Sequence, residues 1–571
     1  MDFDIKITGG TIIDGTAAPR RSGDIGIKDG RITALGDVSG RATREIDARD
    51  RIVAPGFIDI HTHYDAQIIW DRMLSISPWH GVTTVVMGNC GFGIAPTKPD
   101  DRELIVRTLE KVEGMSADAL HTGLGAEWPF GTFPEYLDVI EKTGTAINVG
   151  VLVGHTPIRL YVMGAEAAER PARADEVVKM REIVAEAMAA GAIGFATSTS
   201  PIHVGFEGRP VPSRFAEFDE ILSLAGALKE MGRGVIQIAA GGDIRFDDYI
   251  ALARESGATV SWAALLTRSS NPGLHLEHLA RTAELIDAGL KIYPQISCRP
   301  LMNEFDFREP FAFGRLDIFQ PLAQADNEGK KRIYRDAAFR ASLEQTLSEA
   351  KTASIPIAEL ADAWEVAEFS YCPQRPELEG RRVADVAREA GTHSIDIALD
   401  LSVDSDFAVR FRIPAANADE NGVEELLRDP NTHLGLSDAG AHASQLCDAC
   451  YPTDLLGRWV REKEVLSLER AVHMMSGRPA HIFGLNDRGV LAPGRPADIV
   501  VFDPDTVAAG DLERVHDLPA GADRLISRPK GIDVVIVNGV VLRENDTDSL
   551  GPADVLPGRL LRHGGTANPA K

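Results

Sequence analysis

The stretch APGFIDIHTHYDAQ, residues 54–67, joins an apolar run to two histidines that lie two positions apart. Side chains at positions i and i+2 of a β-strand point to the same side of the sheet. His61 and His63 therefore project together from the end of one strand. Imidazole nitrogens bind zinc at about 2.0–2.1 Å, so this pair can chelate one metal ion. The alternative interpretation is a pair of buried histidines that are hydrogen-bonded in a protein core.

Further apolar runs follow this first strand, and most of them are separated by helical patterns. The predicted strands are RIVAPGFIDIHTH at 51–63, GVTTVVMG at 81–88, AINVGVLVG at 146–154, AIGFATS at 192–198, GVIQIAA at 234–240, ATVSWAAL at 258–265, LKIYPQIS at 290–297 and THLGLSD at 432–438. A regular alternation of strands with helices is typical of α/β proteins. The pattern therefore predicts a TIM-like (β/α)8 barrel.

The two ends of the chain have a different pattern, in which short apolar stretches are separated by hairpin breaks such as Asp29-Gly30 and Asn538-Gly539. This punctuation is typical of antiparallel β-structure. We expect the two ends to form one small β-sandwich beside the barrel. The predicted domains are residues 1–53 for the first part of the sandwich, 54–485 for the barrel, 486–551 for the second part of the sandwich and 552–571 for a tail.

Two long segments interrupt the predicted barrel, at about 97–145 after the second strand and about 302–395 after the seventh strand. Long insertions usually carry function when they lie at the active face of a scaffold. We expect these two to build lids or walls over that face.

Composition limits the range of partners. The chain has 571 residues and a formal net charge of −25, and such a field repels phosphate backbones and anionic membranes. The start, MDFDIKITGG, lacks the pattern of a signal peptide, and no apolar run approaches the length of a membrane helix. Five cysteines are few for this length and fit a reducing compartment. We expect a cytoplasmic protein with a small-molecule partner, without nucleic-acid or membrane partners, and a homo-oligomer is allowed.

Two further strands end in groups that can bind a metal. Cys90 ends the second strand in VVMGNCGFG, and a thiolate is a good zinc ligand. Asp438 ends the eighth strand in HLGLSDAGAH, where a carboxylate can bind metal and accept a proton from an attacking water. The alternatives are a small buried thiol for Cys90 and a helix cap for Asp438.

Other polar residues lie just beyond the predicted strands. GHTPIR at 154–159 contains His155 and Arg159, and SPIHVG at 200–205 contains His203. For these residues, contact with a substrate and ordinary loop capping are equal alternatives. Cys447 and Cys450 form a C-x-x-C pair without a second pair to complete a metal site, so a packed loop is favoured over a redox role.

Several motifs together resemble the amidohydrolase superfamily, and most closely its N-acyl-D-amino-acid deacylase branch. The motifs that carry the resemblance are PGFIDIHTHYDAQ, GVTTVVMGNCGFG, VGHTPIRLYVMG, YPQIS, SDAGAH and DRGVLAPGRPADIVVFDP. The likeness runs through almost the whole chain. It implies a zinc-dependent amide hydrolase in which His61, His63, Cys90 and Asp438 bind the metal. Asp438 is then also the general base.

The chain departs from the pattern of this family at three positions. The family has a histidine at the end of the fifth strand, where GVIQIAAGGD offers only Gln237. A second histidine is expected after the sixth strand, where Ala264, Leu265 and Leu266 stand instead. The usual Y-P-Y reads Y-P-Q, with Gln295. We therefore expect one zinc ion, or another divalent metal, unless Gln237, His155 or His203 completes a second position.

The lysine and tyrosine that the family uses near the substrate are also missing. Arg268 or Arg299 could replace them, because a guanidinium binds a carboxylate through two hydrogen bonds. The candidates for substrate binding are His155, Arg159, His203, Gln237, Gln295, Arg299 and His442.

The sequence predicts metal-dependent hydrolysis of an amide bond other than a peptide bond. The best single prediction is deacylation of an N-acyl amino acid, with the D configuration favoured by the resemblance. One alternative is the opening of a cyclic amide or imide, as in a hydantoinase. A second alternative, from another class, is a non-catalytic barrel that binds a small molecule. A deaminase is a weaker alternative, because such a site normally also needs the fifth-strand histidine.

Overall fold

The computed structural model describes residues 2–205, 208–241, 244–269, 271–308, 310, 313, 316–323, 325–350, 361 and 363–565. The chain divides into two compact units. The first unit contains residues 1–265, 278–298 and 427–571, and the second contains residues 266–277 and 299–426.

The strands of the described residues are β1 (Phe3–Ile12), β2 (Arg21–Lys28), β3 (Arg31–Gly36), β4 (Ala42–Asp47), β5 (Ile52–Pro55), β6 (Phe57–Asp59), β7 (Val82–Met87), β8 (Asn148–Gly154), β9 (Gly194–Ser198), β10 (Val235–Ala239), β11 (Thr259–Ala263), β12 (Ile292–Ile296), β13 (Leu301–Phe305), β14 (Glu368–Tyr371), β15 (Arg410–Ala416), β16 (His433–Leu434), β17 (Ile499–Phe502), β18 (Leu512–Val515), β19 (Arg524–Ser527), β20 (Ile532–Val537), β21 (Val540–Glu544) and β22 (Thr547–Asp548).

The α-helices of the same residues are α1 (Arg102–Val112), α2 (Ala117–Leu124), α3 (Phe133–Thr143), α4 (His155–Met163), α5 (Ala174–Ala190), α6 (Phe218–Met231), α7 (Phe246–Ser256), α8 (Leu274–Asp287), α9 (Gln320–Ala323), α10 (Asn327–Arg335), α11 (Ala337–Ala350), α12 (Val383–Ala390), α13 (Ser394–Asp404), α14 (Glu420–Arg428), α15 (Tyr451–Asp454), α16 (Leu468–Met475) and α17 (Gly477–Ile482). A π-helix at Leu455–Glu462 follows α15.

The centre of the first unit is a barrel of parallel strands. Strands β6, β7, β8, β9, β10, β11, β12 and β16 pair in that order. The barrel closes just beyond β6 and β16, where Thr62 bridges Ala439 in parallel, and the His63 N–H donates to the Ala439 carbonyl at 2.7 Å. This confirms the predicted (β/α)8 fold. Since all strands are parallel, their carboxyl ends share one rim, which is where barrel enzymes carry their active sites.

Both ends of the chain contribute to a second sheet, which confirms that they fold together beside the barrel. Strand β5 pairs with β17 in antiparallel orientation, and one nine-stranded sheet contains strands from both ends. Its core combines isoleucines of the first 50 residues with Ile499, Val534 and Ile536. The predicted hairpin break Asn538-Gly539 joins β20 and β21, and both of its residues have a positive φ. Such φ values are typical of a tight hairpin turn that matches the twist of its strands.

The segment 97–145 forms helices α1, α2 and α3 within the first unit. The later segment belongs mostly to the second unit, which extends past residue 395 to residue 426. That unit contains a three-stranded antiparallel sheet in the order β13-β15-β14 and a core rich in phenylalanine.

The tail packs on the first unit as far as residue 565. Gly558 bridges Thr145, Leu560 bridges Val149, and Arg562 forms ion pairs with Asp138 and Glu141 on α3. Its last residues, 566–571, lie outside the described residues. Among the residues that the structure describes, no helix combines the length and apolarity needed to cross a membrane.

Candidate metal centre

The barrel rim brings together the four donors that the sequence predicted. His61 Nε2 lies 3.3 Å from Cys90 Sγ and 3.3 Å from Asp438 Oδ1. His63 Nε2 lies 3.6 Å from the same Asp438 oxygen. Donor atoms of His61, His63 and Cys90 all lie within 4.8 Å of one another. The cluster therefore offers two imidazole nitrogens, one sulfur and one carboxylate oxygen around a single small volume.

A tight turn after β7 places Cys90 in this cluster. Cys90 has a φ of 56°, and Gly88 before it has a φ of 84°. A Cβ atom at Gly88 would lie 2.1 Å from the Leu152 carbonyl oxygen, so only glycine fits there. The Cys90 N–H donates to Gln237 Oε1 at 2.7 Å, which anchors the turn to β10. The left-handed backbone thus turns the thiol back over the barrel mouth.

Each histidine of the cluster has a side-chain oxygen close to its other ring nitrogen. His61 Nδ1 lies 2.5 Å from Gln295 Oε1, and His63 Nδ1 lies 3.2 Å from Glu113 Oε1. These contacts leave both Nε2 atoms facing Cys90 and Asp438. Metal-binding histidines commonly hold their second nitrogen against a carboxylate or carbonyl oxygen in this way. Both rings are therefore oriented so that their Nε2 atoms could hold a metal ion.

Glu113 is a site residue that the sequence analysis did not find. It follows helix α1 in the segment 97–145, and its side chain is buried. No motif marks it, because its neighbour His63 is 50 positions away and the contact depends on how the inserted helices return to the rim. A buried acid would have been the signal, but burial is visible only in three dimensions.

Burial governs the charges in the cluster. It raises the pKa of Cys90 to about 11 and that of Glu113 to about 7, the latter with help from the charge of Asp438. It also lowers the pKa of His61 to about 4, against the attraction of Asp438. Burial opposes charge on His63 too, but Glu113, Asp438 and Cys90 outweigh it and hold its pKa well above 6.5.

Asp438 shows the opposite balance. Burial alone would raise the pKa of Asp438. The hydrogen bond from His63 and the charges of the nearby His61 and His442 lower it by more than burial raises it, so the carboxylate stays ionised. Cys90 and Glu113 are thus hard to ionise, whereas Asp438 is not. Metal ions bind the deprotonated forms of these groups, so a cation here would take the place of protons.

Two further predicted residues, His203 and His442, also lie near this rim. His203 Nδ1 lies 2.6 Å from Ser198 Oγ at the end of β9, and its ring packs against Phe92. Burial and the charges of His63 and His442 lower its pKa to about 3. His442 follows Asp438 on the chain, and its N–H donates to the Glu113 carbonyl. Contact of these two imidazoles with a substrate stays a prediction.

His155 and Arg159 lie elsewhere, in a buried network beside the barrel. His155 Nδ1 lies 2.8 Å from Thr197 Oγ1, and its Nε2 lies 2.8 Å from Glu220 Oε1. Arg159 donates to both carboxylate oxygens of Glu220 at 2.5 Å. Both side chains are fully buried. The network ties α4 to α6, and contact of these two residues with a substrate stays a prediction.

The remaining candidates fall into three places. Gln237 and Gln295 point into the barrel and contact Cys90 and His61, as described above. Arg299 belongs to the second unit, and its contact with a substrate stays a prediction. Cys447 and Cys450 are buried and form no disulfide, and Cys450 Sγ lies 2.9 Å from the Cys447 carbonyl oxygen. That local contact fits the packed-loop interpretation of the C-x-x-C pair.

A closed parallel barrel with histidines, a thiol and a carboxylate at its carboxyl rim defines a class, the metal-dependent barrel hydrolases. Within that class the assignment is specific, since residues 44–543 match the amidohydrolase family, and the chain belongs to it. The protein is therefore a hydrolase of carbon–nitrogen bonds other than peptide bonds, in agreement with the sequence prediction.

Known proteins match this chain over nearly its full length. The N-acyl-D-glutamate deacylase of Alcaligenes xylosoxydans xylosoxydans is 31% identical over 568 residues, which covers 98% of this chain and 96% of that protein. A crystal structure of N-acyl-D-glutamate deacylase from Bordetella bronchiseptica, complexed with zinc and a phosphonate inhibitor that mimics the tetrahedral intermediate, has a TM-score of 0.66 at 29% identity. The match covers 98% of this chain and 100% of that chain.

A structure of D-aminoacylase is similar in the same way. It has a TM-score of 0.67 at 27% identity and covers 98% of this chain and 99% of that chain. That protein has a binuclear metal centre, described as activated by one metal and attenuated by the second.

Proposed function

We propose that this amidohydrolase removes the acyl group from an N-acyl amino acid, with the D configuration preferred, and that it depends on a bound metal ion. The observation that carries the proposal is the convergence of His61 Nε2, His63 Nε2, Cys90 Sγ and Asp438 Oδ1 at the barrel rim. Three relatives that match at least 94% of the chain support the substrate class: an N-acyl-D-glutamate deacylase, a D-aminoacylase and an N-acyl-D-aspartate deacylase.

The four donors fit zinc. Zinc binds imidazole nitrogen, thiolate sulfur and carboxylate oxygen, and four ligands are its usual number in proteins. Gln295 and Glu113 contact the Nδ1 atoms of the two imidazoles, which leaves both Nε2 atoms available as ligands. We assign His61, His63, Cys90 and Asp438 as the ligands of one zinc ion. When bound, such an ion polarises a carbonyl group and makes a water molecule more acidic.

Asp438 is the residue that moves the proton. Its carboxylate is ionised, and its Oδ1 faces the two imidazoles while the side chain keeps some exposure to the barrel mouth. It accepts a proton from the attacking water and then delivers that proton to the nitrogen that leaves as the amine. The amide carbon–nitrogen bond breaks, and the products are a carboxylic acid and a free amino acid.

We propose a centre with one metal ion. The second position of the related binuclear site would need the histidines that this chain lacks on its fifth and sixth strands. The fifth strand carries Gln237 instead, and its Oε1 accepts a hydrogen bond from the Cys90 N–H. Metal analysis of the purified protein should give one tightly held ion per chain, whereas two such ions would contradict this proposal.

Substrate contact is proposed for His203 and His442. His442 follows Asp438 on the chain and donates its N–H to the Glu113 carbonyl, and the His203 ring packs against Phe92, which follows Cys90. An imidazole can donate a hydrogen bond to a carboxylate or to the amide carbonyl. Replacing either residue by alanine should raise KM for acyl amino acids more than it changes the metal content.

We do not favour ring opening of a cyclic amide, since N-acyl-D-glutamate deacylase and D-aminoacylase match 98% and 94% of this chain, whereas D-hydantoinase matches 11% of it. The deciding experiment is a screen of the zinc-loaded protein against N-acyl-D-amino acids, N-acyl-L-amino acids and cyclic amides. Deacylation releases a primary amine, whereas ring opening leaves one molecule. Release of amine from the D-series supports the proposal. Turnover of cyclic amides alone, without any release of amine, would refute it.

Cellular location and assembly also remain proposals. We propose that the protein acts in the cytoplasm, because none of its five cysteines forms a disulfide in the structure. A homo-oligomer is compatible with the structure, and sedimentation analysis would determine the state.

A further inference from the structure

A chain of hydrogen bonds runs from His61 into the interior of the barrel. His61 Nδ1 lies 2.5 Å from Gln295 Oε1, and Gln295 Nε2 donates to Ser261 Oγ at 2.8 Å. Ser261 Oγ lies 3.1 Å from His433 Nε2. All four side chains are essentially fully buried, so water does not compete for these contacts. Ser261, Gln295 and His433 lie on three neighbouring strands, β11, β12 and β16.

The orientation of these hydrogen bonds determines which ring nitrogen of His61 carries the proton. Gln295 directs its amide nitrogen to Ser261 and its amide oxygen to His61. An amide oxygen only accepts hydrogen bonds, so His61 Nδ1 must carry the proton. A neutral imidazole has one N–H, which leaves the lone pair of Nε2 facing Cys90 and Asp438. This is the tautomer that a metal ion requires.

The two histidines of the centre are held by different chemistry. His63 faces the carboxyl group of Glu113, which can share a proton or a charge with it. His61 faces a neutral amide that can do neither. Gln295 therefore orients the ring and selects its tautomer without adding a negative charge to the cluster. A histidine placed in this way is ready to bind metal without rearrangement.

We propose that Gln295 is a positioning residue that fixes His61 in its Nδ1–H tautomer, and that Ser261 and His433 hold the amide of Gln295 in the required orientation. The inference rests on the proposed metal centre but not on the identity of the substrate. Positioning partners of this kind typically change metal affinity about 10- to 100-fold when they are removed.

The test measures zinc affinity by competition with a chelating dye, in the full-length protein. Gln295→Leu removes the acceptor and should raise the zinc Kd by about 10- to 100-fold. Gln295→Glu keeps an oxygen toward Nδ1 and should stay close to wild type, which serves as the conservative rescue. Ser261→Ala leaves the acceptor in place but unsupported, so its Kd should fall between these two. A wild-type Kd for Gln295→Leu would overturn the inference.

A matched control comes from Gln67, which is also buried but donates to Asp71 and to the Ser75 carbonyl instead of contacting a histidine. Gln67→Leu should keep the wild-type zinc Kd. An equal loss of affinity in Gln67→Leu and Gln295→Leu would mean general damage to the barrel and would overturn the specific role.

A second measurement reads the tautomer directly. In metal-free protein labelled with ¹⁵N-histidine, the His61 signals are identified by their loss in His61→Asn. An Nδ1–H signal for His61 supports the proposal, and an Nε2–H signal overturns it, even if Gln295→Leu fails to fold. Neither measurement uses a substrate. A chain that binds zinc but releases no amine would therefore refute the proposed deacylation and leave this inference standing.

Discussion

His63 Nδ1 and Glu113 Oε1 lie 3.2 Å apart, and both side chains are buried. The contact joins a histidine at the end of the first barrel strand to an acid at the end of helix α1. It means that the segment 97–145 contributes a side chain to the proposed metal centre. The ring orientation of His63 depends on an element outside the barrel strands.

Removing this acid should weaken metal binding. Glu113→Ala frees the Nδ1 side of His63 and should raise the zinc Kd by about 10- to 100-fold. Glu113→Gln keeps an oxygen acceptor and should have a smaller effect. Glu110→Ala on the same helix is the matched control, since Glu110 is partly exposed and pairs with Arg107. Unchanged zinc affinity in Glu113→Ala would show that His63 needs no such partner.

Replacing Asp438 by asparagine should abolish most of the turnover. The amide has a similar size but cannot accept the proton of the attacking water, so kcat should fall by about 10²- to 10⁴-fold. The thermal midpoint should stay near that of wild type, because the change is nearly isosteric. The rate is normalised to the zinc content of each sample. Asp247→Asn, an exposed position on α7, is the control, and equal activity of the two variants would exclude Asp438 as the base.

Sequence periodicity was sufficient for the barrel because each strand carries its own local signal. An apolar run followed by a polar residue marks a carboxyl strand end, and parallel strands place these ends on one rim. His61, His63, Cys90 and Asp438 could therefore be placed together from the sequence. Their neighbourhood follows from the topology of the fold and does not depend on the details of side-chain packing.

The partners of these residues could not be predicted in the same way. Glu113 reaches His63 only because the inserted helices return to the rim, and no local pattern encodes that return. Gln295 was notable in the sequence only as a departure from a family motif, whereas the structure shows it against His61. His155 and Arg159 lie beyond a strand end as expected, but Glu220 on α6 holds both of them away from solvent.

The stability of the fold should decrease as the pH falls, and His155 should contribute to this decrease. Burial lowers the pKa of His155 in the folded state, against the attraction of Glu220. Below about pH 6.5 the unfolded chain therefore binds a proton that the folded chain does not. A single such group can contribute up to about 1.4 kcal/mol per pH unit to the loss of unfolding free energy.

Urea unfolding at several pH values between 5 and 8 checks this contribution. His155→Gln removes the titrating group, so its unfolding free energy should decline less steeply below pH 6.5 than that of wild type. The exposed His516→Gln is the matched control. If wild type and His155→Gln show the same dependence on pH, the His155 network does not contribute to acid sensitivity.

The two ends of the chain meet at the hairpin turns Asp29-Gly30 and Asn538-Gly539, and this contact should be sensitive to a single methyl group. The Ala497 N–H donates to the Gly30 carbonyl, and the Gly539 N–H donates to the Ala497 carbonyl, both at 2.9 Å. A Cβ atom at Gly539, whose φ is 79°, would lie 2.5 Å from Gly30 Cα. Overpacking of this kind typically costs about 1–3 kcal/mol.

Gly539→Ala should therefore lower the unfolding free energy by about 1–3 kcal/mol beyond the cost of its left-handed backbone. Gly521→Ala separates these two effects, because Gly521 has a similar φ of 73° but a Cβ atom there would meet nothing within 4 Å. Urea unfolding of both variants measures the difference. A larger loss for Gly539→Ala would show that the packed turns, and not only the strand pairing of β5 with β17, hold the two chain ends in one sandwich. Equal losses would attribute the whole effect to backbone strain.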